Sequence, residues 1–197
     1  SPLAGGQVRT DSKGVPRFAN GSDSDNNAVT MYRASKKDDW EVLSKTPFGE
    51  GEVLPVNISK DGSTIHILDS TETSTYQLKK INTTTGESEV VFYHPKFDAY
   101  PQIIDDVVMG ATVNPGYTQA YWFEVDSPLQ NSILQAVESF NGKVNCKNIC
   151  MSTFDTKMVD IVALTKNRDK AILQISDSVS SPKYWLYNME TGQLMKL

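Results

Sequence analysis

The sequence predicts an all-β fold: a partial β-propeller of about three to four antiparallel four-stranded blades, with one inserted helix near residues 128–141. Three observations carry that prediction. A four-strand phrase appears clearly twice. Its strands are joined by Asp-Gly and Thr-Gly turns, which supply the positive-φ residues that tight hairpins need. The composition, 39% hydrophobic with abundant Ser, Thr, Asn and Asp, suits many short strands and polar turns better than long buried helices.

The first clear copy runs from Val53–Ile58 through a Lys60-Asp61-Gly62 turn to Thr64–Leu68, then Tyr76–Ile81, Gly86 and Val90–Tyr93. The second runs from Met158–Leu164 through Asn167-Arg168-Asp169 to Ala171–Ile175, then Tyr184–Tyr187, Gly192 and Leu194–Leu197. Asp61 is 25 residues before Gly86 and Asp169 is 23 before Gly192, so Asp169 is matched to Asp61. Period-two alternation supports the strands, with Ile65 and Ile67 on one face. An incomplete copy precedes them: an Asp11–Gly14 turn, strands Pro16–Asn20 and Val29–Arg33, and Trp40–Leu43, without a first strand. A degenerate copy lies between, with Asp106–Gly110, Ala111–Val113, the Asn114-Pro115-Gly116 turn and Gln119–Val125.

The helix is read from Ser127 as N-cap, Pro128 at the first helical position, Leu129, Ile133, Ala136, Val137 and Phe140 on one face, and Gly142 as the stop. It is expected as an insertion on the rim between blades. The whole of 1–197 is taken as one propeller segment with units 8–45, 52–94, 103–126 followed by the helix, and 144–197. Units of this size bury their faces on neighbours, so three or four of them suggest a sector of a larger ring with open edges prone to self-association.

A net charge of −5 and a pI near 5.0 argue against nucleic-acid and anionic-membrane partners, which reward clustered Lys and Arg. Lys36-Lys37 and Lys79-Lys80 are read as solvated strand ends or turns. No window reaches the roughly 20 apolar residues of a membrane-spanning helix. The first residues have neither a basic nor an apolar leader region, so a mature start and a cut within a longer protein look alike. Cys146 and Cys150 stand in C-x3-C spacing, and His66 and His94 are too distant in sequence to suggest a zinc site with them. A local disulfide and two buried thiols both fit. Sequons at Asn20, Asn57 and Asn82 do not settle the compartment.

Catalytic patterns were sought in turn. There is no G-x-S-x-G nucleophile elbow, H-E-x-x-H, P-loop, G-x-G-x-x-G or C-x2-C. Asp23-Ser24-Asp25-Asn26-Asn27 opens like a calcium loop, but Ala28 and Ala34 stand where Gly and a bidentate Glu are required. His94 with Asp98 has no nucleophile attached by any motif. Tyr117, Tyr121, Trp122 and Phe123 are expected to fill core between blades. Asp105 and Asp106, as neighbours on a strand, would point to opposite faces. No catalytic, cofactor-binding or metal position is assigned.

Several phrases nevertheless come in a familiar order: Gly14-Val15-Pro16-Arg17-Phe18-Ala19, Tyr32-Arg33, Trp40, Lys60-Asp61-Gly62, His94-Pro95 with Asp98, Val144-Asn145, and Ser181–Gly192. Their order resembles the propeller of prolyl-oligopeptidase-like serine peptidases, nearest the acylaminoacyl-peptidase and dipeptidyl-aminopeptidase-like branch, over about residues 8–197. The resemblance implies a propeller that admits short peptide substrates to a C-terminal α/β-hydrolase domain carrying the catalytic triad, none of which falls in this chain. The Arg168-Asp169-Lys170 turn, where the family has Asp-Gly, and the Cys146/Cys150 pair depart from the pattern. The competing expectation is a free-standing propeller module that binds proteins or solutes.

Overall fold

The computed structural model describes residues 2–104, 106–116, 118–123, 128–140, 143–146, 150–153, 157–177 and 179–197; for 128–129, 143–146, 150–153 and 157–158 it describes the backbone alone. Among the described residues there are 17 strands and one helix. The strands form four sheets, all of whose pairings in the known registers are antiparallel. The chain divides into two compact units, Ser1–Pro101 and Gln102–Leu197.

In the first unit, β1 (Gln7–Thr10), β2 (Pro16–Ser22), β3 (Ala28–Tyr32) and β4 (Glu41–Thr46) make one sheet in sequential order. The N-terminal copy therefore does have a first strand. Gln7-Val8-Arg9-Thr10 shows too little apolar alternation to be read as one, since all four residues are exposed and only backbone pairing to β2 holds them. The second sheet is β5 (Val53–Ile58), β6 (Thr64–Asp69), β7 (Gln77–Asn82) and β8 (Ser88–Phe92), again in order. Phe18, Tyr32 and Leu43 from the first sheet pack with Val53, Ile58, Ile65, Ile67 and Ile81 from the second. Each such side chain taken fully from water contributes about 1.5–3 kcal/mol. Buried Thr30 adds a cross-sheet hydrogen bond to this core, donating its hydroxyl to the Val53 carbonyl.

In the second unit the third sheet has five strands: β9 (Tyr100–Ile104), β10 (Val107–Val113), β11 (Gln119–Trp122), β12 (Lys143–Cys146) and β13 (Cys150–Thr153), ordered β12-β13-β11-β10-β9. β12 and β13 thus join the third sheet, whereas the sequence grouped 144–153 with the last unit. The reason is long-range pairing: β13 lies antiparallel to β11, matching Tyr121 to Met151, across the intervening helix. The fourth sheet is β14 (Lys157–Leu164), β15 (Lys170–Asp177), β16 (Lys183–Asn188) and β17 (Leu194–Lys196), in order.

Helix α1 spans Pro128–Ser139. It packs between the third and fourth sheets. Six of its ten described side chains are buried, because it is flanked on two sides. Ile133 and Leu134 pack with Ile104, Met109 and Trp122 of the third sheet, while Ala136 packs with Ala171, Leu173 and Tyr187 of the fourth. Phe140 meets Trp185 edge to face at 5.3 Å, and the Ser132 hydroxyl donates to the Met189 carbonyl at 3.3 Å. Ser127 and Gly142, expected as its cap and stop, lie outside the described residues.

The repeat is visible in hydrogen bonds as well as in strands. Asn82 and Asn188 each accept two turn N–H groups on their side-chain oxygen, and Gly86 and Gly192 each donate back to the carbonyl of that Asn. These pairs are 106 positions apart, and so are Ser59 and Thr165, whose carbonyls accept from Gly62 and Arg168. The equivalent of Asp61 is therefore Asn167, not Asp169. Arg168 occupies the position of Gly62 and shares its left-handed backbone, φ 57° against 78°.

Candidate functional site

Two clefts open at opposite ends of the seam between the first two sheets. The larger, about 470 Å³, lies where Asn20, Val29 and Thr30 face Val53 and Leu54. Its outer wall is the segment Thr46–Gly51 that carries the chain from β4 to β5. Gly49 and Gly51 have φ of 85° and 86°, and the Thr46 hydroxyl donates to the Gly51 carbonyl at 2.9 Å. A side chain at Gly51 would run into the Ser70 carbonyl, so close approach as well as backbone angle demands glycine there. This turn holds Phe48 at the cleft with 82% of its surface exposed.

Polar side chains on the cleft wall include Asn20, Ser22, Asn26, Thr30, Glu52, Ser70 and Tyr76. Glu52 Oε1 accepts the Tyr76 hydroxyl at 2.6 Å, and the Glu52 backbone exchanges hydrogen bonds with Ser70 Oγ. Burial, then the neighbouring Glu52 carboxylate, pushes the Tyr76 phenol well above its usual range, so it stays a donor. Asn20 Oδ1 is a buried acceptor with no hydrogen-bond partner. A volume of this size is sufficient for a small molecule.

The smaller cleft, about 410 Å³, is at the other end of the strands, among the Asp11–Gly14, Ser59–Gly62 and Thr83–Thr84 turns. Part of the set of residues that gave the sequence its resemblance meets here. Arg17 pairs with Asp11 at 3.2 Å and donates to the Arg33 carbonyl at 3.1 Å; Arg33 donates to the Pro16 carbonyl at 2.8 Å and lies over the Trp40 ring at 4.6 Å. Tyr32 packs on Phe18. The arginines lock strand ends together through backbone carbonyls.

The other residues singled out in the sequence fall into structural places. Asp98 accepts the Tyr76 N–H at 3.0 Å, and the His94 carbonyl accepts the Thr75 hydroxyl at 2.8 Å while its ring packs on Phe97. His66 shares a 3.0 Å hydrogen bond with Asn57 on the adjacent strand, and burial lowers its pKa. Asp23 accepts the N–H groups of Asp25 and Asn27 and pairs with Lys45 at 2.7 Å, which holds its carboxyl far below the usual range. Among the described residues no group of three or more His, Cys, Asp or Glu could hold a metal ion. Trp122 is buried in the core of the second unit. Asp106 sits at φ 63° in the β9–β10 turn; Asp105 and Tyr117 lie outside the described residues. Cys146 and Cys150 are register partners on β12 and β13, and their side chains lie outside the described set. Lys79 corrects the solvated reading: its side chain is 13% exposed and pairs with Asp69 at 2.7 Å, while Lys80 pairs with Glu89. The cleft residues Asn20, Phe48, Glu52 and Tyr76 had not been grouped, since the only sequence signal was a two-glycine connection after Thr46-Pro47.

No family model matches the chain, and no curated protein matches it. Among solved structures it is similar to TolB from Acinetobacter baumannii, a β-propeller protein, with a TM-score of 0.53 at 14% identity. The fold class is that of a partial β-propeller. The match covers 93% of this chain and 40% of that one, so the chain spans well under half of its neighbour's length. At such identity the likeness concerns fold alone. No helix among the described residues is long and apolar enough to cross a membrane.

Proposed function

We propose that the chain is a non-catalytic propeller segment of a prolyl-oligopeptidase-like serine peptidase, restricting access of peptides to a hydrolase domain carried elsewhere in the parent protein. The reading is supported by what the resembling phrases do physically. Arg17, Tyr32, Arg33 and Trp40 interlock strand ends, and Asp98 and His94 tie the residues leading into β7 to the segment after β8, so these residues of the resembling set serve to build a rigid wall. A wall of packed sheets sorts substrates sterically, and the chemistry belongs to the partner domain. The outer face of the fourth sheet fits a segment that continues into further blades: Ile172, Leu186 and Met195 are aligned across β15, β16 and β17, with Met195 57% exposed.

The purified chain is expected to hydrolyse no aminoacyl nitroanilide and to leave a fluorophosphonate probe unreacted. Stoichiometric labelling of one serine would overturn the reading. Sequencing the transcript past the Leu197 codon should reveal a G-x-S-x-G elbow within a few hundred codons. An early stop codon there would favour the second reading, a free-standing binding module, which is supported by the aromatic cleft between the first two sheets.

A further inference from the structure

The larger cleft of the first unit has an unbalanced chemistry. Of the residues that line it, Glu52 is the one carboxylate, and no Lys, Arg or His joins it among the described residues. Of the basic residues on the neighbouring strands, Lys45 on β4 is already paired with Asp23 and Lys79 on β7 with Asp69, each at 2.7 Å. One Glu52 oxygen accepts the Tyr76 hydroxyl; the other, Oε2, accepts no hydrogen bond among the described residues. Asn20 Oδ1 adds a second acceptor, buried and without a partner. Beside these acceptors stands Phe48, an aromatic ring with 82% of its surface in water. Its position is enforced by the two positive-φ glycines and the Thr46–Gly51 hydrogen bond, so the exposed ring belongs to a built turn.

We propose that this cleft binds small organic cations: an ammonium group that donates to Glu52 Oε2, attached to an apolar arm that covers Phe48. A carboxylate supplies the charge, its second oxygen the acceptor, and the aromatic face attracts both a cation and the apolar surface beside it. An anionic ligand would meet the Glu52 charge with no basic group to offset it. The inference is independent of the peptidase reading, because it concerns a site within the first unit and requires no hydrolase domain.

The test uses three isosteres on the 197-residue protein: 3-phenylpropylamine, 3-phenylpropanamide and 3-phenylpropionate, titrated with amide chemical shifts read at Asn20, Phe48 and Glu52. The amine is expected to saturate the site and to bind at least about tenfold more tightly than the neutral and anionic analogues, consistent with one partly desolvated charge contact. Glu52→Gln, which keeps an acceptor for Tyr76 while removing the charge, is expected to erase that preference, and Phe48→Ala to weaken all three ligands alike. Equal affinity for amine and carboxylate would overturn the proposal, and so would unchanged amine binding in a folded Glu52→Gln protein or shifts confined to other surfaces. The comparison of isosteres on the unaltered protein decides the matter even where a variant fails to fold.

Discussion

At the scale of single residues, Arg168 is the clearest misfit between a side chain and its backbone. It takes the left-handed conformation that Gly62 takes 106 positions earlier, and a residue with a Cβ pays roughly 1–2 kcal/mol for that conformation. Glycine recovers this cost but loses more entropy on folding, by roughly 0.5–1 kcal/mol. Arg168→Gly is therefore expected to stabilise the protein by up to about 1 kcal/mol, measured by urea denaturation at constant m-value. The Asp69–Lys79 pair acts in the opposite sense. Both side chains are nearly buried, and Thr71 also donates to Asp69. Burial favours the neutral carboxyl, yet the Lys79 and Thr71 donors outweigh it and hold the Asp69 pKa below its usual range. A lowered folded pKa means the unfolded state takes up the proton first. The stability this pair adds is present above the unfolded value near 4 and is lost as pH falls through the folded one. Lys79→Ala should cost about 1–3 kcal/mol at neutral pH by leaving a buried carboxylate without its charged partner. That loss should shrink in acid, and equal destabilisation at pH 7 and pH 3 would contradict the assignment.

At the scale of elements, turns and close approaches matter more than strand propensity. The Asn-to-Gly turn closes both the β7–β8 and β16–β17 hairpins by the same hydrogen bonds, which is why those strands could be placed from the sequence. Gly110 is different. It is in the middle of β10, opposite Trp122, and a methyl group there would strike the Tyr121 carbonyl on β11. Gly110→Ala is expected to destabilise the second unit by about 1–3 kcal/mol, read as a lower denaturation midpoint, because backbone rather than a flexible side chain must move. Thr30→Val keeps shape while removing the hydroxyl that reaches the Val53 carbonyl, and a loss of about 1–3 kcal/mol is expected in the same assay. Helix α1 shows the limit of pattern reading. Ile133, Ala136 and Val137 marked one apolar face, but Leu134 and Ser132 are buried too, since the helix has sheets on two sides.

At the scale of the whole molecule, the terminal sheets present apolar surface. Val8 and Val42 on the first sheet are 42% and 59% exposed, and Val162, Tyr184 and Met195 on the fourth are 53%, 42% and 57% exposed. A sheet face left open in this way favours association, so light scattering of the isolated chain is expected to show concentration-dependent oligomers, reduced by Met195→Glu. A strictly monomeric protein at high concentration would remove the open-sector argument from the proposed function. The sequence alone determined the all-β class, the two repeated hairpin pairs and the existence of the helix, because each is written in local signals: turn glycines, period-two alternation and a proline-led apolar stripe. Tertiary structure alone decided the rest. β1 carries almost no apolar pattern and exists through backbone pairing to β2; β13 reached the third sheet through contacts distant in sequence; Lys79 was drawn inward by Asp69. The cleft belongs to the same class. Asn20, Phe48, Glu52 and Tyr76 come from separate stretches of chain, and only the packing of two sheets brings an acceptor, a carboxylate and a ring to one place.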